Sequence, residues 1–134
     1  MCYYYILIDE WYLKDHDGGI QMDFQVVTIS VSDLERSKRF YEDILKFEPG
    51  GNYEKWQSYK LNSTGGFGII EVPGLNRNQS MDIINFEIDH IESYWHRIKD
   101  KVNIESDLQI MPWGTYKFVI IDPDGFRLGF VGNK

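Results

Sequence analysis

A chain of 134 residues is one domain's worth of protein, and its 21 acidic against 14 basic residues leave a net charge of −7. No run of Lys or Arg interrupts that balance, which excludes a phosphate-backbone binder and favours neutral or cationic partners. The single cysteine, Cys2, excludes a disulfide framework and a thiolate zinc site. It suits the cytoplasm.

Residues 1–21 read as an N-terminal extension, with 4 acidic residues against 1 basic. Asp15-His16-Asp17-Gly18-Gly19 is a turn or linker signal. Two glycine codons just ahead of Met22 can spell a ribosome-binding site, so Met22 is a candidate native start. The other reading is that the apolar run Tyr3–Ile8 adds a strand to a sheet edge or to a partner chain. The run lacks a basic flank and is cut off by Asp9 and Glu10, so it is not a signal peptide. No apolar stretch approaches the ~20 residues of a membrane span.

From Met22 onward one unit is used twice, over about residues 22–74 and 80–134. Val27-Thr28-Ile29-Ser30-Val31 alternates apolar and polar, and so does Ile84-Asn85-Phe86-Glu87-Ile88, at an offset of 57. Both predict half-buried strands. Each runs into a helix start. Ser32 with Glu35 and Asp89 with Glu92 have capping-box spacing. The helices are expected to bury Leu34, Tyr41, Ile44 and Leu45, then Ile91, Trp95 and Ile98. Further strands are predicted around 56–61 and 67–72 in the first copy, and around 109–111, 116–121 and 127–131 in the second. Asn62–Gly66 and Asp122-Pro123-Asp124-Gly125 supply turns. The predicted class is α+β, two tandem β-α-β-β-β modules forming a curved mixed sheet with a cleft.

The stretch from Val27 to Tyr41, followed 81 residues on by Asp122-Pro123-Asp124-Gly125-Phe126, resembles the vicinal oxygen chelate superfamily of glyoxalase I, bleomycin-resistance proteins and extradiol dioxygenases. The resemblance implies a cleft between curved modules, frequent homodimers and, in the enzymes, a divalent metal held by His or Glu on four strands. Carried onto this sequence, three ligand positions fall on Val26, Ile83 and Gly129, and Glu71 is the one acidic match. One oxygen ligand of four does not hold a transition metal tightly. His90 and His96 lie on different helix faces and His16 lies in the extension, so no histidine restores the set. The expectation is no metal and no cofactor.

Alternation then assigns the cleft-facing side chains. If Val27, Ile29 and Val31 pack on helices, Val26, Thr28 and Ser30 face the cleft, as do Ile83, Asn85, Glu87, Arg127 and Gly129. Glu71 is expected to join them. Arg127 is expected to pair with Glu87 or to hydrogen-bond Asn85, unless it or Glu71 orients a ligand. Trp56, Tyr59, Phe67, Trp113, Tyr116 and Phe118 are candidate cleft-wall aromatics, Trp113 above all because it stands in a loop between Pro112 and Gly114.

Gly65-Gly66-Phe67-Gly68 lacks the Lys-Ser/Thr and the helix of a phosphate loop, and no Ser-His-Asp or Cys-His set is present. The expected ligand-binding residues are therefore Glu71, Asn85, Glu87, Arg127, Trp56, Phe67, Trp113 and Tyr116. Similarity to bleomycin-resistance proteins implies a metal-independent protein that binds a small aromatic or cationic molecule without transforming it. The alternative is a lyase or dioxygenase-like enzyme with a non-standard site and Glu71 or Glu87 as general base.

Overall fold

A computed structural model describes residues 19–62, 65–76 and 81–133. Cys2, His16 and the run Tyr3–Ile8 lie outside these, and with them every expectation placed on the extension's structure. Strand β1 (Val26–Val31) buries Ile29 and Val31 and pairs in parallel with β4 (Gly66–Glu71), Val26 opposite Gly66 and Val31 opposite Glu71. The chain turns at once into helix α1 (Leu34–Lys38). Asp33, and not Ser32, is the cap: its carboxylate accepts the Arg36 N–H at 3.1 Å. Ser32 is engaged elsewhere.

Past Lys38 the helix widens into a π-helical turn (Arg39–Ile44), in which the Leu45 N–H reaches back to the Phe40 carbonyl at 3.0 Å. Phe40 and Tyr41 are both buried there, adjacent in sequence. The turn is closed by Lys46 in the left-handed conformation, φ 63°. Two antiparallel neighbours, β2 (Glu48–Tyr53) and β3 (Trp56–Lys60), complete a sheet in the order β1-β4-β3-β2.

The second module repeats the plan. Strand β5 (Ile83–Glu87) pairs in parallel with β8 (Arg127–Gly132), and helix α2 (Ile91–Ile98) follows it. Strands β6 (Asn103–Ile110) and β7 (Tyr116–Ile121) give the order β5-β8-β7-β6. Here too the expected cap does not form: α2 starts from His90 in the left-handed region, φ 57°, with no side-chain cap from Asp89. The α+β class and the two modules stand as predicted, with the sheet divided into two halves of four strands.

One core joins the halves through their helix-bearing faces. Ile29, Val31, Tyr59, Phe67 and Ile69 from the first sheet meet Phe118, Ile120, Leu128 and Phe130 from the second. Phe86 is the hinge of this packing, 5.2 Å from Phe47 and 5.5 Å from both Phe67 and Phe130, ring centre to ring centre. Of the helix positions expected inside, Tyr41, Leu45, Ile91, Trp95 and Ile98 are buried, and Leu34 and Ile44 pack against them. Among the described residues no helix is long and apolar enough to cross a membrane.

Candidate functional site

Strand register decides which side chains share a face. Among the described residues both sheets carry helices on one side only, and the other side of each is called its helix-free face. In the first sheet that face displays Val26, Thr28 and Ser30 of β1, Gly66, Gly68 and Ile70 of β4, and Trp56 and Ser58 of β3. The Trp56 indole N–H donates to the Thr28 hydroxyl at 3.3 Å, crossing directly over Gly68. A methyl group on Gly68 would stand 2.8 Å from the indole nitrogen and 3.1 Å from the Thr28 oxygen. Glycine there is what allows an indole to lie flat on the sheet.

In the second sheet the helix-free face displays Ile83, Asn85 and Glu87 of β5, Arg127, Gly129 and Val131 of β8, and Lys117, Val119 and Ile121 of β7. Asn85, Glu87, Arg127 and Gly129 therefore share a face, as alternation predicts. The Asn85 carboxamide occupies the space above Gly129, where a Cβ would collide with its Oδ1. Arg127, however, pairs with neither Glu87 nor Asn85. Its Nε and Nη2 donate to the Glu105 carboxylate at 2.8 and 2.6 Å, and its Nη1 donates to the Met81 carbonyl at 3.0 Å. Those bonds hold the Glu105 carboxyl below its ordinary pKa. The reason is geometric: Arg127 sits opposite Ile121, Ile121 sits opposite Asn103, and a long side chain spans β7 to the bulge in β6.

Three expected site residues face the other way. Glu71 shares the helix-bearing side with Phe67 and Ile69, and its carboxylate accepts the Leu34 N–H at 3.0 Å and pairs with Lys55 at 3.0 Å. The Leu34 N–H first, and Lys55 second, lower its pKa. It is a helix-start acceptor, not a cleft ligand. Phe67 is fully buried in the shared core, as are Tyr59 and Phe118, and Tyr116 packs against that core opposite Gly132. Trp113 does stand in a turn, closed by Met111 N–H to the Thr115 carbonyl at 2.7 Å, and is 69% exposed.

What short-range reading missed is a network that ties the modules together. Asp122 is buried and accepts the Tyr41 hydroxyl at 2.8 Å and the Phe126 N–H at 2.8 Å. Two residues on, Asp124 accepts the Ser32 hydroxyl and the Arg36 guanidinium at 2.6 and 3.0 Å. Desolvation raises the Asp122 pKa against the pull of those donors. At Asp124 burial also pushes upward, but Ser32 and Arg36 outweigh it and the pKa lies below the ordinary value. The turn signal of Asp122-Pro123-Asp124-Gly125 located these acids, and nothing near them in sequence named their partners.

The family model of the glyoxalase/bleomycin resistance protein/dioxygenase superfamily matches residues 23–130. The chain belongs to that superfamily. No curated protein matches the sequence. Among solved structures, a protein of unknown function from Agrobacterium tumefaciens str. C58 is 21% identical, with a TM-score of 0.75 over 86% of this chain and 97% of that one. A lactoylglutathione lyase from Agrobacterium tumefaciens is 15% identical with a TM-score of 0.67, covering 84% and 95%. TioX from Micromonospora sp. ML1 is 13% identical with a TM-score of 0.67, covering 84% and 100%. At these identities the likeness is one of fold.

Superfamily membership makes the metal positions a question of donors. Val26 and Ile83 offer hydrocarbon, and the space above Gly129 is taken by an amide. On β4 the residues that share a face with Val26 are Gly66, Gly68 and Ile70, because Glu71 is out of phase by one. No side chain at these positions is a usual ligand for a divalent transition metal. Among the described residues no three His, Cys, Asp or Glu side chains are grouped to hold one, and His96 faces Glu92 at 4.0 Å on an exposed helix side.

Proposed function

We propose that this chain is a metal-independent small-molecule-binding protein of the superfamily, taking a small aromatic or cationic ligand on its helix-free faces. The observation that carries the reading is the donor set: Val26 and Ile83 offer hydrocarbon, Gly129 offers no side chain, β4 turns Gly66, Gly68 and Ile70 to that face, and the Asn85 amide lies where a last-strand ligand would project. In place of ligands the first sheet offers the flat Trp56 indole, and the second offers the exposed Glu87 carboxylate. An aromatic cation matches both, by stacking and by charge. The net charge of −7 adds long-range attraction.

A homodimer in the cytoplasm belongs to the same reading. Strands β1 and β5 are both sheet edges, and the helix-free faces lie outside the shared core, so a second copy is what would enclose a ligand between them. Light scattering on the eluting peak of a sizing column reads this directly, with twice the chain mass expected.

The enzyme alternative loses Glu71 as a base, since its carboxylate is turned to the start of α1 and lies below its ordinary pKa. Glu87 alone would carry it.

Metal analysis of the purified protein, with melting curves in chelator, nickel, zinc, manganese and iron, tests the reading. No bound metal and unchanged melting are expected. Stoichiometric metal with a large stabilisation would overturn it. Titration with bleomycin, followed by tryptophan fluorescence, tests the ligand class. Saturable quenching that is lost in Trp56→Phe supports it, and no saturable signal removes the aromatic-cation assignment.

A further inference from the structure

A second concavity lies where the modules meet, and it shares Asn85 and Glu87 with the border of the second sheet's helix-free face. It is an open groove of about 980 Å³, at the upper end of the range for small-ligand sites. Its floor is aromatic: Phe47, Phe86, Tyr94 and Phe130. These rings are held in place by edge and stacked contacts 5.2 to 5.5 Å apart, and by the Tyr94 hydroxyl, which donates to the Leu45 carbonyl at 2.6 Å.

One wall is a strand edge. The groove is lined by consecutive residues of β5 and its extension, Asn85 through Asp89. Among the described residues strand β5 has β8 on one side and no strand on the other. The Ile88 N–H donates to the Val131 carbonyl at 2.9 Å, so in this parallel ladder Ile88, Phe86 and Ile84 point their backbone groups at β8. By alternation Asn85 and Glu87 turn theirs to the groove. Among the described residues these groups have no partner, and an amide-bearing ligand could pair with them.

Charges of both signs line the groove. Glu87 and Asp89 stand on the strand-edge wall, Lys60 is matched by Glu48 at 3.8 Å, and Lys46 and Arg97 have no ion-pair partner among the described residues. Lys46 has an unusual position. It closes the π-helical turn at φ 63°, a conformation that glycine holds at less cost, and a side chain is retained there at the groove mouth.

We infer that this groove is a second binding site for a short extended peptide or N-acylated amino acid with an aromatic side chain and a free carboxylate. The ring would lie on the Phe47–Phe86–Tyr94 floor, the amide against the Asn85–Glu87 edge, and the carboxylate between Lys46 and Arg97. Arginine and lysine together on a rim favour a carboxylate over a neutral end.

The probe is N-acetyl-phenylalanyl-glycine, titrated into the 15N-labelled full chain, with the C-terminal amide of the same compound as control. Saturable shifts are expected at the Asn85, Glu87 and Lys46 amides, with the Trp56 indole resonance unmoved. The amide control should bind about tenfold more weakly, a difference of about 1.4 kcal/mol. Lys46→Gly should weaken the acid to the same extent, and because glycine suits the left-handed backbone it leaves the fold intact. Arg97→Gln should do likewise. Equal binding of acid and amide would overturn the inference, as would the absence of any saturable shift. Shifts confined to Trp56 and the β1–β4 face would also overturn it, while leaving the reading of the helix-free faces standing.

Discussion

Ser32 and Asp124 stand 92 positions apart and meet through two hydrogen bonds, hydroxyl to Oδ1 at 2.6 Å and backbone N–H to Oδ2 at 3.0 Å. The first residue after β1 is thereby locked to the last turn of the second module. The Asp124 side chain is 7% exposed, and removing it takes the acceptor from a part-buried backbone N–H and from the Ser32 hydroxyl, which keeps only the Arg36 guanidinium as donor. Asp124→Ala should cost about 1–3 kcal/mol, read as a lower urea midpoint with an unchanged slope.

Tyr41 gives a second measure of the same junction. Its ring is buried among Phe47, Tyr59 and Phe67, and its hydroxyl is the side-chain donor to Asp122. Tyr41→Phe keeps the packing and removes the donor. A loss of about 1–3 kcal/mol is expected from chemical denaturation. Recovery in the double variant with Asp122→Asn, whose amide no longer demands that donor as a charge does, would show coupling between the two.

Acid stability follows from the signs of the shifts. Glu71, Glu105 and Asp124 have folded pKa values below their ordinary ones, so their contribution is present above the ordinary carboxylate range and is lost as pH falls through the lowered values. Asp122 has the opposite sign: its raised folded pKa means that stability from this group grows as pH falls through that value. The net expectation is a melting temperature that falls as pH drops below the ordinary carboxylate range, through the lowered values at which these three groups protonate. In Asp122→Asn the slope just above that region should become steeper in the direction of acid loss, because the compensating group is gone. Melting curves from pH 3 to 7 check both.

Gly68 tests the aromatic shelf. Gly68→Val places carbon in the space of the Trp56 indole, 2.8 Å from its nitrogen even at the first atom. The indole must leave the sheet and lose its bond to Thr28. A red-shifted tryptophan emission is expected, together with loss of any ligand that quenches Trp56, while the fold, judged by far-ultraviolet dichroism, persists.

How much of this was legible in the sequence depended on unbroken alternation. Val27–Val31 and Ile84–Ile88 alternate cleanly, and the faces predicted from them for Thr28, Asn85 and Glu87 are the observed ones. Strand β4 ends Ile69-Ile70-Glu71, two apolar residues in a row, so alternation leaves its phase ambiguous, and the register turns Glu71 to the helix-bearing side. Strand β2 carried no signal at all. Pro49, Gly50 and Gly51 disfavour a strand, and it forms at a sheet edge, paired to β3 with a bulge, because tertiary pairing overrides propensity there. The Arg127–Glu105 pair spans an intervening strand, and the groove joins two modules. Local pattern encodes neither.

Each module is closed by its own first and last strands, Val26 to Gly66 and Ile83 to Arg127, in parallel. On a ribosome the opening strand of each copy must therefore wait about forty residues for the sheet neighbour it has among the described residues. The first copy can close while the second is still being made, with Phe47 and Phe67 packed on Tyr41 and Tyr59, but the contact of both rings with Phe86 forms only when the second copy arrives. The half-made protein thus exposes more of this aromatic surface than the finished one, and the interval between synthesis of the two copies is a time of added exposure to aggregation.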